Sequence, residues 1–181
     1  MINYDKARLA LDEIQPGLTK YNSIMELLHQ VDVSKDESFQ KLYNGFYRMR
    51  QRKPEFYQGY YDFMEAKKTD AISFEETLEH FYEKFSRIES SFSSKLVATI
   101  NPNKPVWDKY VMENLDIKVP SYSSNDRLQK TIEAYTKLEE WYDSFLGSSS
   151  AKEVLELFDS RFPDTNLTEV KKIDLILWKI R

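Results

Sequence analysis

Cysteine is absent from this sequence of 181 residues. Its absence excludes disulfide bonds, thiolate nucleophiles, cysteine-held iron–sulfur clusters and the cysteine-containing types of zinc site. A chain without any thiol also fits a reducing compartment, where structural disulfides are rare. We therefore expect a cytoplasmic protein.

Glycine and proline are scarce, with four and six residues respectively, while charged residues make up 31% of the chain. Such a composition provides too few turn residues for a β-sandwich or barrel and suits long helices joined by short connections. Hydrophobic residues reach 41%, and 181 residues lie within the usual size of one domain. We predict an all-α fold, in which residues 1–181 form a single compact domain of about eight or nine helices.

Long apolar runs are also missing, since nowhere do about 18 consecutive apolar residues occur, as a membrane-spanning helix requires. The first residues lack the basic start and apolar stretch of a secretion signal. We expect no membrane partner. The net charge of −4 argues against broad attraction to nucleic acid, although a local basic patch still acts over a Debye length of about 8 Å.

The motifs of several common enzyme classes are absent. Only two histidines occur, His29 and His80, and no nucleophile elbow accompanies them. Glu26 and His29 have the spacing used in di-iron helical bundles, but that site needs a second such pair, and His80 has Thr77 at the same offset. No glycine-rich phosphate loop is present. We therefore expect neither a metal site nor a bound cofactor.

Apolar residues recur at helical spacing along most of the chain, and the clearest stripe runs from Phe74 to Phe92. Several runs follow a sequence that is typical of a helix start. In each, a serine or asparagine is predicted to cap the helix, and a glutamate follows three residues after it. The predicted caps are Ser34, Ser73, Ser150 and Asn166.

The segment from Ile88 to Leu115 contains a break that ordinary helix caps and polar turns do not explain. A short core helix is predicted from about Ser93 to Ile100, and the sequence Asn-Pro-Asn-Lys-Pro follows it. A second helix is predicted to begin with Pro105 in its first turn, where the missing N–H of proline is harmless. Asp108 would then lie one turn into that second helix.

Four cations fall within six residues of one another, namely Arg48, Arg50, Arg52 and Lys53. Aromatic residues flank them, and Pro54 is predicted to begin a helix that is aromatic on several faces. Cations beside aromatic rings are suited to bind phosphates and stack on bases, so the segment is a candidate nucleic-acid contact. The alternative is structural, with the cations stabilising the end of the preceding helix while the aromatics fill the core.

Two short motifs in the central segment resemble those of the helix-hairpin-helix DNA glycosylases. Glu89 to Lys95 reads ESSFSSK and lies where that superfamily has a pattern like L-P-G-V-G-x-K, with serines in place of the two glycines. Pro105 to Val111 reads PVWDKYV and looks like the family's P-V-D-x-x-V segment, interrupted by Trp107. The resemblance implies a glycosylase-like helical fold and DNA as the partner.

By this resemblance, Asp108 is the catalytic carboxylate and Lys95 is the amine nucleophile. Such a lysine needs a pKa lowered by burial or by a neighbouring cation, and the carboxylate must face a cleft that holds an extruded base. The aromatic side chains expected to wall that cleft are Trp107, Tyr110, Tyr60 and Tyr61. The alternative is that Asp108 stabilises the N-terminus of its helix and that Lys95 is a surface cation.

The sequence supports two classes of function. The first is nucleic-acid association, with catalysis by a degenerate glycosylase-like site ranked behind it. The second is a non-enzymatic protein–protein interaction module or homo-oligomer, in which Tyr57, Tyr60 and Tyr61 form the interface. Exposure of these tyrosines in one apolar patch is the feature that would favour the second class.

Overall fold

The computed structural model describes Ile2 and the residues from Tyr4 to Ile180. Ten helices and no strand form within this part of the chain, which confirms the predicted all-α class and comes close to the predicted number of helices. The helices are α1 (Tyr4–Leu11), α2 (Gln15–Leu28), α3 (Glu37–Phe46), α4 (Pro54–Lys67), α5 (Phe74–Phe85), α6 (Ser90–Ile100), α7 (Lys109–Asn114), α8 (Arg127–Leu146), α9 (Ser149–Arg161) and α10 (Glu169–Lys179).

Residue contacts group these helices into two units. The continuous unit is Gln15–Asn101 and contains α2 to α6, whereas the discontinuous unit combines the residues up to Ile14 with those from Pro102 onward. In the continuous unit, α2 packs against α3, and α6 packs against α4 and α5. In the discontinuous unit, α10 contacts α1, α7, α8 and α9. The expected single domain stays a prediction, which equilibrium unfolding followed by probes in both units would test.

Local cap chemistry explains where several helices begin. Ser73 accepts a hydrogen bond of 3.0 Å from the backbone N–H three residues later, as predicted, and Pro54 is the first residue of α4. At three other starts the cap is not the predicted residue, because Asp36, Ser148 and Thr168 cap α3, α9 and α10. In each case the true cap is a second short polar residue two positions from the predicted one.

The apolar stripe predicted from Phe74 to Phe92 is divided between α5 and α6. Ser86 adopts the left-handed conformation, with φ of 53°, and ends α5 by donating its N–H to the carbonyl of Tyr82 at 2.8 Å. A non-glycine residue in this conformation costs roughly 1–2 kcal/mol, so packing of the two helices must offset the strain. The chain then enters α6 at Ser90, three residues earlier than predicted.

The two units differ in the side chains that fill their cores. Aromatic rings dominate the continuous unit, where the completely buried side chains include Phe39, Tyr43, Tyr60, Tyr61 and Phe81. Each aromatic ring that is buried removes roughly 150–250 Å² of surface from water, which lets a few residues supply most of a core. The discontinuous unit mixes rings with aliphatic side chains, and its completely buried residues include Leu138, Phe158, Ile173 and Ile176.

Candidate functional site

The segment Arg48–Lys53, here called the basic loop, connects α3 to α4 in the continuous unit. Its backbone turns sharply because Arg48 is left-handed, with φ of 53°, and because the N–H of Met49 donates back to a carbonyl in the last turn of α3 at 3.0 Å. Met49 is only 3% exposed. The side chains of Arg48, Arg50 and Lys53 are exposed, so the loop buries one apolar anchor and presents three cations to solvent.

Arg52 differs from the other cations of the basic loop. Its guanidinium forms a bidentate ion pair with Glu89, with Nε to Oε1 at 3.0 Å and Nη2 to Oε2 at 2.9 Å. The same group lies over the ring of Phe92, 4.8 Å from the ring centroid. Because Glu89 is only 6% exposed, this pair is held largely out of water. Arg52 therefore ties the basic loop to the start of α6, and its predicted contact with phosphate stays a prediction.

Arg87 is a further cation at this site, and it was not among the residues predicted from the sequence. It lies in the turn between α5 and α6, and its Nε is 3.1 Å from Oε1 of Glu89. Its side chain is 61% exposed, so most of the side chain remains accessible to solvent. One carboxylate therefore holds two guanidinium groups, which leaves a positive charge in excess. The only sequence signal for Arg87 is a cation two residues before a glutamate, a pattern too common to single out.

The charge at the site opposes the charge of the whole chain. Arg50 and Lys53 form no ion pair with any residue that the structure describes. With Arg48, Arg52 and Arg87 they make five cations, against the buried Glu89 and the exposed Glu55, in a chain of net charge −4. The exposed surface of α5, by contrast, is acidic. It contains a depression of about 450 Å³ lined by Ser73, Glu75, Glu76, Glu79, His80 and Glu83. A polyanion is therefore attracted to one surface of this unit and repelled by another.

The α6 helix starts beside the basic loop and is buried along most of its length. Of its 11 residues, eight are buried, and these include the polar residues Ser93, Ser94, Lys95 and Thr99. Lys95 is 9% exposed, and its Nζ lies 5.1 Å from the ring centroid of Phe92. The alternative that Lys95 is a surface cation is therefore wrong. A buried amine is also the setting that a lysine nucleophile requires.

Four buried hydroxyls form a connected network against α6. The hydroxyls of Thr99 and Tyr60 donate to backbone carbonyls of α6 at 2.7 Å and 3.0 Å. Because each hydroxyl has one proton, Tyr43 must be the donor to Tyr60 at 2.9 Å, and Tyr47 the donor to Thr99 at 3.2 Å. Burial raises the pKa of Tyr43 and of Tyr60, which keeps both phenols neutral. The network therefore satisfies its own hydrogen bonds without a ligand.

The tyrosines predicted to line a pocket or an interface lie mostly in the core. Tyr60 and Tyr61 are completely buried, and the hydroxyl of Tyr61 donates to Oδ1 of Asn44 at 2.9 Å. Burial also raises the pKa of Tyr61. Tyr57 is half-buried, and its hydroxyl donates to the carbonyl of Met49 at 3.2 Å. These side chains form neither the wall of an open cleft nor a contiguous exposed patch, which corrects both predictions for them.

Asp108 belongs to the discontinuous unit and caps α7. Its Oδ1 accepts a hydrogen bond of 2.9 Å from the N–H of Tyr110. The helix begins at Lys109, so the prediction of a helix starting at Pro105 with Asp108 one turn inside it is wrong. The alternative that Asp108 stabilises a helix N-terminus is confirmed. Beside it, Trp107 is 5% exposed and Tyr110 is 38% exposed.

A buried carboxylate explains why no helix begins at Pro105. Oδ1 of Asp174 accepts from the N–H of Val106 at 3.3 Å and from the hydroxyl of Tyr142 at 3.1 Å. Its Oδ2 lies 3.0 Å from Nζ of Lys171, a side chain that is 1% exposed. These contacts hold the segment before α7 in a non-helical path. No sequence pattern predicts a role for Asp174 or Lys171, because Val106 and Tyr142 are distant along the chain and a lysine three residues before an aspartate is common in helices.

The predicted catalytic pair is divided between the two units, with Lys95 in α6 and Asp108 at the start of α7. A cleft shared by the two side chains stays a prediction. Within the described residues, no group of three or more histidine, aspartate or glutamate side chains is arranged to hold a metal ion. No helix in the same part of the chain is both long and apolar enough to cross a membrane.

Comparison with known proteins identifies no relative, since no protein-family model, curated protein or solved structure matches the chain. The relationship to the helix-hairpin-helix glycosylases therefore stays a prediction.

Proposed function

We propose that this protein associates with nucleic acid through the basic loop and Arg87. The observation that carries the proposal is the bidentate ion pair between Arg52 and Glu89, with distances of 3.0 Å and 2.9 Å. This pair joins two segments that the sequence analysis had treated separately, the basic loop and the ESSFSSK motif at the start of α6. It leaves the remaining cations exposed around an anchored backbone.

The anchored backbone favours phosphate binding in a specific way. Met49 and Arg52 fix the loop from inside, so Arg50 and Lys53 need to order only their side chains when an anion binds. A loop that is already ordered loses less conformational entropy on binding than a mobile one. Arg87 adds a guanidinium whose Nε lies 3.1 Å from Oε1 of Glu89, and guanidinium groups match phosphate geometry in a bidentate manner.

The salt dependence of binding follows from the number of cations. If Arg50, Lys53 and Arg87 each neutralise one phosphate, the logarithm of affinity should fall with the logarithm of salt concentration with a slope of about −2 to −3. Such a slope corresponds to few phosphate contacts, so we expect a weak association that is measured most easily at low salt. The net charge of −4 on the whole chain acts in the same direction.

The test is fluorescence anisotropy with labelled single-stranded and duplex DNA across a range of salt concentrations. Wild type should bind at low salt, and the double variant Arg50→Gln, Lys53→Gln should bind at least tenfold more weakly, with a shallower salt slope. The matched control is Lys20→Gln, Lys41→Gln, which removes the same charge from two exposed lysines of the same unit. No affinity at low salt, or an equal loss in both double variants, would overturn the proposal.

A catalytic step is a second candidate, and the burial of Lys95 favours it. The side chain of Lys95 is 9% exposed, with Nζ 5.1 Å from the ring centroid of Phe92, so the amine is shielded from bulk water, as the site of a lysine nucleophile requires. An oligonucleotide with an abasic site, mixed with the protein and borohydride, would trap a Schiff base between a lysine and the sugar. Wild type should form the covalent adduct and Lys95→Gln should not. An adduct that forms equally in both proteins would contradict the assignment of Lys95.

A further inference from the structure

Tyr122 lies in residues 115–126, which connect α7 to α8 in the discontinuous unit. Its side chain is 91% exposed, more than any other large hydrophobic side chain in the described residues. Single exposed apolar residues are common on protein surfaces, so exposure alone carries no function. What distinguishes Tyr122 is the way in which its surroundings hold it.

The ring of Tyr122 is held from one side by Arg127. The guanidinium carbon of Arg127 lies 4.2 Å from the ring centroid, which is the stacking geometry of a cation–π contact. Nε of Arg127 is buried and makes no hydrogen bond to a described residue. One face of the tyrosine is thus supported, and the opposite face is open to solvent.

The backbone on both sides of Tyr122 is also fixed. Nζ of Lys130 donates to Oγ of Ser124 at 3.0 Å and to the carbonyl of Asn125 at 2.8 Å. The N–H of Ser124 donates to the carbonyl of Ser121 at 3.2 Å, which closes a turn around the tyrosine. The ring is therefore presented by an ordered turn that is tied to the first helical turns of α8.

We infer that Tyr122, supported by Arg127, is a platform on which a base of single-stranded nucleic acid stacks. The inference rests on the proposed nucleic-acid association and adds a separate contact to it. A nucleobase needs one open aromatic face, and nearby cations interact with the phosphates on either side. Arg127 and Lys130, both in the first turn of α8, supply those cations.

A base fits this surface better than a protein side chain does. The residues next to the tyrosine are polar and exposed, namely Ser121, Ser123 and Asn125. A protein hot spot is normally desolvated by a surrounding ring of packed contacts, which these short polar side chains do not provide. Stacking of one base on one aromatic ring contributes binding free energy even when the surrounding contact stays hydrated, because it requires only the face of that ring.

The experiment compares two oligomers of equal length and charge, oligothymidylate and an oligomer of abasic sugar phosphates, by fluorescence anisotropy. Wild type should bind oligothymidylate more tightly than the abasic oligomer. Tyr122→Ala should lose about tenfold in affinity for oligothymidylate and little for the abasic oligomer or for duplex DNA, in which base faces are covered. Tyr122→Trp should restore binding, and its emission should be quenched by oligothymidylate relative to wild type.

Tyr4→Ala is the matched control, since Tyr4 is a tyrosine of the same unit with 49% exposure. It should leave all affinities unchanged. If Tyr122→Ala binds oligothymidylate as wild type does while the basic-loop variant is weakened, the stacking inference is overturned and the proposed function stands. If wild type binds neither oligomer nor duplex DNA, both fail.

Discussion

Glu89 in the continuous unit and Asp174 in the discontinuous unit are both nearly buried carboxylates, with 6% and 7% exposure. Both accept from more than one donor, yet their surroundings differ in charge. Glu89 pairs with two arginines, one of which is 61% exposed. Asp174 pairs with one lysine that is itself buried, and its remaining hydrogen bonds come from neutral groups.

The difference separates a carboxylate whose ion pair is neutral from one whose contacts leave an excess positive charge. The carboxylate of Asp174 and the ammonium of Lys171 neutralise each other, and no charge remains to attract a ligand. The carboxylate of Glu89 balances only one of its two guanidinium groups, and the excess lies at the surface beside the basic loop. We therefore expect mutations at Asp174 to change stability, and mutations around Glu89 to change both stability and binding.

The largest effect is expected at Asp174. Replacing it with asparagine retains the size of the side chain but removes the negative charge that lies 3.0 Å from the buried ammonium of Lys171. Loss of one member of a buried pair costs about 3–5 kcal/mol. Urea unfolding at neutral pH, followed by circular dichroism, measures this loss as a lower transition midpoint.

Two controls separate charge from hydrogen bonding at Asp174. Tyr142→Phe removes only the hydroxyl that donates to Asp174 at 3.1 Å, and should cost about 1 kcal/mol. Lys109→Ala breaks a surface pair with 75% and 59% exposed side chains, and should cost less than about 1 kcal/mol. If Asp174→Asn were no more destabilising than Tyr142→Phe, the buried pair would not be the feature that matters.

An intermediate effect is expected for Arg52→Lys. Lysine keeps the charge but has no planar fork, so the two parallel contacts with Glu89, at 3.0 Å and 2.9 Å, are reduced to one. We expect a loss of about 1–2 kcal/mol in the free energy of unfolding. DNA affinity should fall severalfold because the basic loop is less ordered, while the salt slope stays unchanged because the charge does. A changed salt slope would indicate that Arg52 itself contacts phosphate.

The helices could be predicted from the sequence because their signals are local. The start of α4 at Pro54 and the cap at Ser73 depend on residues within one turn of the chain. Caps were misassigned where two short polar residues lie close together, as with Ser34 and Asp36, because tertiary packing chooses between them. The end of α5 was not predicted, because Ser86 occupies the left-handed position at which glycine is the usual sequence signal.

The candidate site was harder to predict because its decisive contacts are distant along the chain. Four neighbouring cations were visible in the sequence, but the distinct role of Arg52 depends on Glu89, 37 residues away. Likewise, Pro105 suits a helix start, and only the contact between Val106 and Asp174, 68 residues apart, explains why none begins there. Sequence spacing predicts which residues share a helix face. Contacts between helices decide which charged side chains are paired and which remain exposed to solvent.

The smallest effect is expected at His80, which tests a third arrangement, an ionisable ring stacked on an aromatic side chain rather than held in an ion pair. Its ring stacks on Phe63 with centroids 4.0 Å apart, and Nε2 has no hydrogen-bond partner among the described residues. Burial, followed by the charge of Lys84, lowers its pKa below the ordinary 6.5. The folded state therefore binds a proton less readily than the unfolded state does.

The sign of the pH effect follows from that difference. At pH values well above 6.5 the histidine is neutral in both states and contributes no pH dependence. As pH falls through 6.5 toward the lowered folded-state pKa, the unfolded state gains protons first and the stability decreases. His80→Phe should retain the stacking and show a smaller loss of stability between pH 7 and pH 5 than wild type. His29→Gln, at an exposed histidine of the same unit, should behave like wild type, and an equal change in both variants would contradict the assignment.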